Sequence, residues 1–180
     1  MLAFIQRFLG KAPSQEASEK HKEPDQYLLR EVEKSNLIRK DQMDVVIQHL
    51  NNKINLNKTG NKLSADEKKE LGINPRLQLT HELLAVLNEN GRAQADPKTV
   101  LSSIAMKASF ARSHDENIQN YRSMGLKQYE ILGCKDDREC AWCKSMDGKK
   151  LSVNQSIKGL IEENCTCDSH CRLATVAVLN

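Results

Sequence analysis

The sequence has few aromatic side chains, little net charge and no long apolar run. Phe, Trp and Tyr make up 4% of its 180 residues, which is too few for the stacking platforms that grip single-stranded bases. Lys and Arg number 27 against 24 Asp and Glu, a net charge of +3, so charge alone does not indicate a nucleic-acid partner. No apolar stretch approaches the length of a transmembrane helix. Charged residues make up 28% of the sequence, and together with a strong helical pattern they favour a soluble, mostly helical protein.

Cysteine is absent from the first 133 residues and then occurs six times. The cysteines are Cys134, Cys140, Cys143, Cys165, Cys167 and Cys171, and His170 precedes the last. Cys140 and Cys143 form a CxxC pair, which presents two thiolates to one ion, and the later cluster supplies further ligands. A structural zinc ion takes four such ligands. The pattern therefore predicts a structural zinc site near the C-terminus.

More than one set of ligands is compatible with this spacing. We predict the zinc ligands Cys140, Cys143, Cys167 and Cys171, with His170 and Cys165 as substitutes. Cys167 and Cys171 can converge from one turn, whereas Cys165 and Cys167 would point to opposite faces of an extended segment. Cys134 is then a free or buried thiol. A second zinc ion would require shared ligands.

Disulfide bonds are the alternative use of these cysteines. The apolar start of the chain has no basic segment before it and is interrupted by Gln6 and Arg7, so we do not expect a signal peptide. The thiols are therefore expected in the reducing cytosol, where clustered cysteines bind metal more often than they pair.

Residues 1–26 are predicted to form a flexible amphipathic segment followed by a linker. Apolar side chains within residues 2–9 fall on one helical face, including Phe4 and Phe8. These two are predicted to bind a partner protein or, less favourably, a membrane surface. Packing against the chain's own domain is the alternative. Residues 10–26 hold no apolar side chain larger than alanine or proline, as is typical of linkers.

Residues 27–95 are predicted to form a helical region. Apolar residues recur at spacings of three and four through residues 27–54, as on the buried faces of amphipathic helices. Residues 64–67 fit a capping box that begins a short helix. Asn74 and Pro75 predict the start of the next helix, as N-cap and first-turn proline.

Residues 96–180 are predicted to form the second domain. Asp96 and Pro97 repeat the start signal for the longest helix, about residues 97–123. Short strands are then predicted at residues 128–132, 149–153 and 173–179. The fold class is therefore α+β, a helical N-terminal region followed by a small zinc-stabilised β-sheet subdomain.

Several short motifs of this second domain occur in an order that matches a known family. They are residues 111–116 (ARSHDE), 129–132 (YEIL), 136–143 (DDRECAWC), 146–149 (MDGK) and 171–172 (CR). Over residues 95–180 the chain resembles the phage head morphogenesis domain (minor head protein, Mu protein F-like). That family carries an Ala-Arg-Thr-Glu helix, a strand, D-x-R-x-C-x-x-C, a D/N-G-K turn and H-x-x-C-R-C. The chain departs from it at Asp168, where the family has histidine, and at Leu173, where it has cysteine.

The resemblance implies a non-catalytic role in capsid assembly. The protein would be a minor component inside a tailed-phage head near the portal, assembled in the bacterial host cytoplasm, or a domesticated prophage protein. Its partners would be portal, capsid or other assembly proteins, and packaged DNA. The metal would be structural Zn²⁺, whose binding free energy of about 10–16 kcal/mol in small sites can hold a thin domain together.

Three residues beside the predicted ligands have predicted supporting roles. Arg138 and Arg172 flank ligand pairs, where a guanidinium can donate to carbonyls or offset thiolate charge. Two exposed arginines without such a role are the alternative. Trp142, between the two thiolates of the CxxC pair, is expected to cap the metal loop or pack on the sheet, and its role as a partner-binding residue is the less favoured alternative.

A zinc deaminase is the first alternative function. His114 and Glu116 form an H-x-E that precedes Cys140 and Cys143, which is the ligand and proton-shuttle order of these enzymes. Against it, Glu139 stands where such enzymes have proline, and the H-x-E lies deep within a predicted helix. A buried histidine of the core is the structural alternative for His114.

A zinc-ribbon adaptor that binds nucleic acid is the second alternative. The basic run at residues 144–150, together with Arg138, can meet phosphates. Acidic side chains on both sides of this run dilute its charge.

Overall fold

A computed structural model describes residues 25–168 and 170–179 of the chain. The predicted docking residues Phe4 and Phe8 lie outside this described part. Within it, none of the helices combines the length and the apolar character needed to cross a membrane.

The described residues form an α+β structure, which confirms the predicted fold class. Helices fill the first half, and one long helix then leads into a three-stranded antiparallel sheet with two further helices. In chain order the elements are α1 (Gln26–Lys34), a 3-10 turn (Lys40–Gln42), α2 (Met43–Leu50), α3 (Ala65–Glu70), α4 (His81–Val86), α5 (Glu89–Arg92), α6 (Pro97–Ser123), β1 (Gln128–Gly133), α7 (Ala141–Met146), β2 (Lys150–Ser152), α8 (Ile157–Asn164) and β3 (Leu173–Ala177).

Side-chain caps explain where the helices begin. Ser64 and Glu67 form the predicted capping box at the start of α3. Asp96 accepts a hydrogen bond from the Lys98 amide, and Pro97 is the first residue of α6, as predicted. The predicted helix start at Asn74 and Pro75 is wrong. The helix α4 begins later, after Thr80, whose side chain accepts a hydrogen bond from the Leu83 amide.

Two clusters of buried side chains divide the molecule into a helical lobe and a metal lobe. The helical lobe consists of α1–α5 with the first part of α6, up to Ala108, and its core is aliphatic. The metal lobe consists of the end of α6, from Ile118, with α7, α8 and the sheet. The long helix α6 therefore contributes to both cores.

The sheet has the order β2-β1-β3. In the central strand, Tyr129 pairs with Leu151 of β2 and with Ala177 of β3. Tyr129 and Ile131 are fully buried, and their neighbours in β1 face outward because side chains alternate along a strand. The three predicted strands are confirmed, with β3 ending two residues earlier than predicted.

Ion pairs join α1 of the helical lobe to α8 of the metal lobe. Arg30 and Lys34 each approach Glu162 to 2.9 Å. All three side chains are a third or more exposed, and such pairs contribute at most about 1 kcal/mol each. The pairs orient the lobes more than they stabilise them.

Candidate metal centre

Two segments of the metal lobe deliver the thiols. Cys140 is the N-cap of α7 and Cys143 lies in its first turn. Cys165 follows the last residue of α8, where its amide donates to the Ile161 carbonyl at 2.9 Å. Cys167 and Cys171 lie in the connection from α8 to β3. The CxxC turn thus faces a loop that carries three further cysteines.

The sulfur atoms of four cysteines come together at this point. The Sγ atoms of Cys140, Cys143, Cys165 and Cys167 all lie within 4.8 Å of one another. Cys143 Sγ is 3.6 Å from Cys165 Sγ and 3.7 Å from Cys167 Sγ. All six cysteines are free thiols.

These separations fit a tetrahedral zinc ion. With metal–sulfur bonds of about 2.3 Å, the sulfur–sulfur edges of a tetrahedron are about 3.8 Å. A disulfide would instead need about 2 Å between the two sulfurs. The two separations measured from Cys143 Sγ match these edges, and the donor set suits Zn²⁺.

Backbone amides point at the sulfurs. The Cys143 amide donates to Cys140 Sγ at 3.4 Å, and the Cys140 amide donates to Cys167 Sγ at 3.4 Å. Burial alone would raise the pKa of Cys140, but amide donors from Cys143 and Thr166 outweigh it and lower that pKa to about 6. Such donors stabilise thiolates and orient them toward a cation.

Cys143 lies at the centre of the cluster and is fully buried. Burial, followed by the charge of Cys171, holds the pKa of Cys143 well above its ordinary value, although the Arg172 amide opposes this. Without a cation this thiol stays protonated. A bound divalent metal reverses the preference, because metal coordination deprotonates a thiol.

The clustered set differs from the predicted ligands in one member. Cys165, predicted as a substitute, belongs to the group, whereas Cys171 lies beside it with its Sγ 3.7 Å from Cys143 Sγ. His170, the other predicted substitute, stacks on Phe110 with ring centroids 4.8 Å apart. In the described part of the chain, the grouped ligand atoms are cysteine sulfurs, without histidine.

Arg138 and Arg172 converge on a carboxylate. Arg172 Nη2 donates to Asp136, and Arg138 Nη2 donates to the same carboxylate at 3.1 Å. The Arg172 side chain is 12% exposed and that of Arg138 is 76% exposed. The half-buried pair of Asp136 and Arg172 ties the loop before Cys140 to the segment that carries Cys171. The sequence predicts supporting roles for both arginines but not for Asp136, which begins the DDR run.

Three further residues of the motifs have structural roles. Asp147 accepts a hydrogen bond from the Gly133 amide at 2.9 Å, and Gly148 takes the positive φ of 75° that the following turn requires. Trp142 is half-buried and packs against the core of the metal lobe. Part of its surface is thus used within the chain.

His114 and Glu116 do not join the cysteines. His114 is 4% exposed on α6 and lies outside the metal-ligand group of the described residues. Glu116 is exposed, and residues two apart on a helix point to different sides. The H-x-E order therefore does not assemble a deaminase ligand set with Cys140 and Cys143.

The basic run near the CxxC pair is exposed but partly neutralised. Lys144, Lys149 and Lys150 are exposed. Lys135 Nζ lies 3.2 Å from Asp147. This surface carries cations without forming an uninterrupted basic patch.

Comparisons of the chain with protein-family models, with curated proteins and with solved structures find no match. Functional reasoning therefore rests on the thiol cluster, on the residues that support it and on the motif order.

Proposed function

We propose that the protein is a non-catalytic assembly protein whose C-terminal lobe is held together by one structural zinc ion. The observation that carries this proposal is the approach of four sulfur atoms to within 4.8 Å of one another. Cys140 and Cys143 would bind the ion from α7, and Cys165 and Cys167 from the loop after α8. Bound there, the zinc ion supplies a cross-link between two segments about two dozen residues apart in sequence.

The small core of the metal lobe supports a structural role for the ion. Two of its buried residues, Cys143 and Cys171, are themselves cysteines. A domain with so little aliphatic core commonly depends on a metal or on disulfides. Zinc binding at about 10–16 kcal/mol in small sites is as large as the whole stability of a typical domain, about 5–15 kcal/mol.

Four protein ligands also support the absence of catalysis. Catalytic zinc sites keep one coordination position for water or substrate, whereas structural sites are closed by four side chains. The thiol cluster provides that closed set, and His114 lies elsewhere on α6.

The assembly role is that of a phage or prophage minor head protein, in contact with portal or capsid proteins and with packaged DNA. The order of the DDR, CxxC and DGK motifs supports it. Asp136 and Arg172 pair across the metal loops, and Asp147 binds the Gly133 amide. The motif residues thus maintain the shape of the lobe, as expected where recognition depends on a rigid surface.

Metal analysis of the purified full chain tests the zinc site. We expect one zinc ion per chain in the wild type and its loss in Cys143→Ser. Cys134→Ser is the matched control, because Cys134 is exposed and outside the group. A metal-free wild type with six titratable thiols would contradict the proposal.

Particle composition tests the assembly role separately. Tailed-phage particles induced from the source strain should contain the chain in heads stripped of tails, detected by mass spectrometry. Heads that form in normal number and package DNA after deletion of the gene would reject this role, whatever the metal analysis shows.

A further inference from the structure

Two charged side chains of α8 contact one face of α1. Lys158 and Glu162 are four positions apart on α8 and therefore lie on the same side of that helix. Tyr27, Arg30 and Lys34 follow one another at spacings of three and four on α1, so they also share a face. Lys158 Nζ lies 5.2 Å from the centroid of the Tyr27 ring. The helix α8 is thus held against the helical lobe by long side chains.

The Glu162 carboxylate is bound by two cations of α1. Arg30 Nη2 lies 2.9 Å from each of its two oxygens, and Lys34 Nζ lies 2.9 Å from one of them. Burial alone would raise the pKa of Glu162, but the hydrogen bond from Lys34 and the charges of Lys34 and Arg30 outweigh it and lower that pKa. The carboxylate therefore stays ionised at neutral pH, with its cations in the other lobe.

The same helix ends at the metal centre. Glu162 lies in the last turn of α8, and Cys165 is the first residue after that helix. The sulfur of Cys165 belongs to the group of four that converge. The contacts with α1 and the ligand Cys165 are therefore joined by a single helical turn.

We propose that Glu162 is a positioning residue for the metal centre, through which the helical lobe raises the affinity of the site for zinc. The inference rests on the proposed structural zinc, with which the metal lobe folds. The ion pairs between α1 and α8 then form together with the metal site, so their free energy adds to that of zinc binding. By reciprocity, bound zinc fixes α8 against α1 and sets the orientation of the two lobes.

The zinc affinity of the full chain, measured by competition with a chromophoric chelator at low ionic strength, tests this proposal. We expect Glu162→Gln to bind zinc about 3–10-fold more weakly than the wild type, because it loses two partly exposed ion pairs. Glu163→Gln is the matched control. It removes the same charge from the next position of α8, where Glu163 is exposed, and its affinity should match the wild type within about 2-fold.

A double-mutant cycle shows whether Glu162 acts through α1. The variant with both Arg30→Gln and Lys34→Gln should weaken zinc binding as much as Glu162→Gln does. Adding Glu162→Gln to that variant should then cause no further loss. In about 1 M sodium nitrate the Debye length falls to about 3 Å, so the effect of Glu162→Gln should fall below about 2-fold. A residue that only maintained the metal lobe would show neither dependence.

Three results would overturn the proposal. Wild-type affinity in Glu162→Gln at low ionic strength would show that α8 does not couple the lobes to the metal. An equal loss from Glu162→Gln with and without the two cations of α1 would place its role within the metal lobe. A wild type that binds no zinc would reject the structural zinc itself, whereas the first two results leave that zinc intact.

Discussion

The helical lobe and the metal lobe bury their side chains by different means. Val46, Leu83 and Leu87 of the helical lobe are fully buried among other aliphatic residues. In the metal lobe the fully buried residues include Tyr129 and Cys143, beside a thiol cluster. The comparison indicates that aliphatic packing dominates the first lobe, whereas the second combines a smaller core with a thiol cluster that could bind a metal.

Side-chain hydrogen bonds also position the segments of the metal lobe. In the metal lobe, long polar side chains reach backbone carbonyls of distant segments. Tyr121 donates to the Thr175 carbonyl at 2.9 Å, and Tyr129 donates to that of Gln155 at 3.0 Å. Such bonds specify one arrangement but contribute only about 1 kcal/mol each. They position the sheet without replacing the stabilisation expected from the metal.

Removal of zinc should have the largest effect, and it should unfold the metal lobe while the helical lobe stays folded. On treatment of the zinc-loaded full chain with a chelator, we expect amide protection to be lost in β1 and β3 and retained in α4. The physical reason is that the free energy of metal binding is folding free energy for the segments that the metal joins. Hydrogen exchange with mass spectrometry gives both signals in one sample. Simultaneous loss in both lobes, or in neither, would contradict the division.

A cavity created by mutation in the helical lobe should lower the stability of the protein by the same amount with and without the metal. Leu83 is fully buried, so Leu83→Ala should destabilise the protein by about 2–5 kcal/mol. Urea denaturation followed by circular dichroism measures this, and the loss should be equal with and without zinc. Leu71→Ala is the control, because Leu71 is 52% exposed and its truncation should cost under about 0.5 kcal/mol. A loss that depends on zinc would show that the lobes fold as one unit.

Mild acid should produce a smaller effect, centred on the helix that both lobes share. Burial holds the pKa of His114 below its ordinary value, and its Nε2 has no hydrogen-bond partner among the described residues. The unfolded chain therefore takes up a proton first as the pH falls through about 6.5. Stability should fall below that pH until the folded pKa is reached.

Urea midpoints of zinc-loaded wild type and His114→Gln between pH 7.5 and 5 measure this effect. The wild type should lose more stability than the variant, because thiolate protonation is common to both. Equal slopes of the urea midpoint against pH in the two proteins would mean that His114 has the same pKa in the folded and unfolded states. The zinc content of the variant should stay at the wild-type value. If His114 were a zinc ligand, as in a deaminase, the variant would lose zinc.

The sequence predicts local features better than the path of the metal loop. The caps at Ser64 and Asp96 depend on contacts within a few residues, and the structure confirms both. Asn74 carries the same kind of signal, but its side chain binds the Arg76 amide at 3.0 Å in a turn, and the helix begins later. Local hydrogen-bond preference therefore identifies a turn or a helix start without choosing between them.

The ligand set shows the corresponding limit for the site. The CxxC pair is a local motif, so Cys140 and Cys143 are identifiable from spacing. The approach of Cys165 depends on where α8 ends, and that of Cys171 on where β3 begins. The pairing of Asp136 with Arg172 spans 36 residues, and spacing alone does not reveal it. Such contacts are determined by tertiary packing.

The long helix α6 sets the order in which the parts of this chain become available during synthesis. Its first part, up to Ala108, completes the aliphatic core of the helical lobe, and the first cysteine, Cys134, is added only afterwards. Domains near the N-terminus generally fold first as a chain leaves the ribosome. The half of α6 that belongs to the second core is then already anchored when the thiols emerge. A metal bound as proposed would thus be captured late in synthesis, by thiols that emerge after their support has formed.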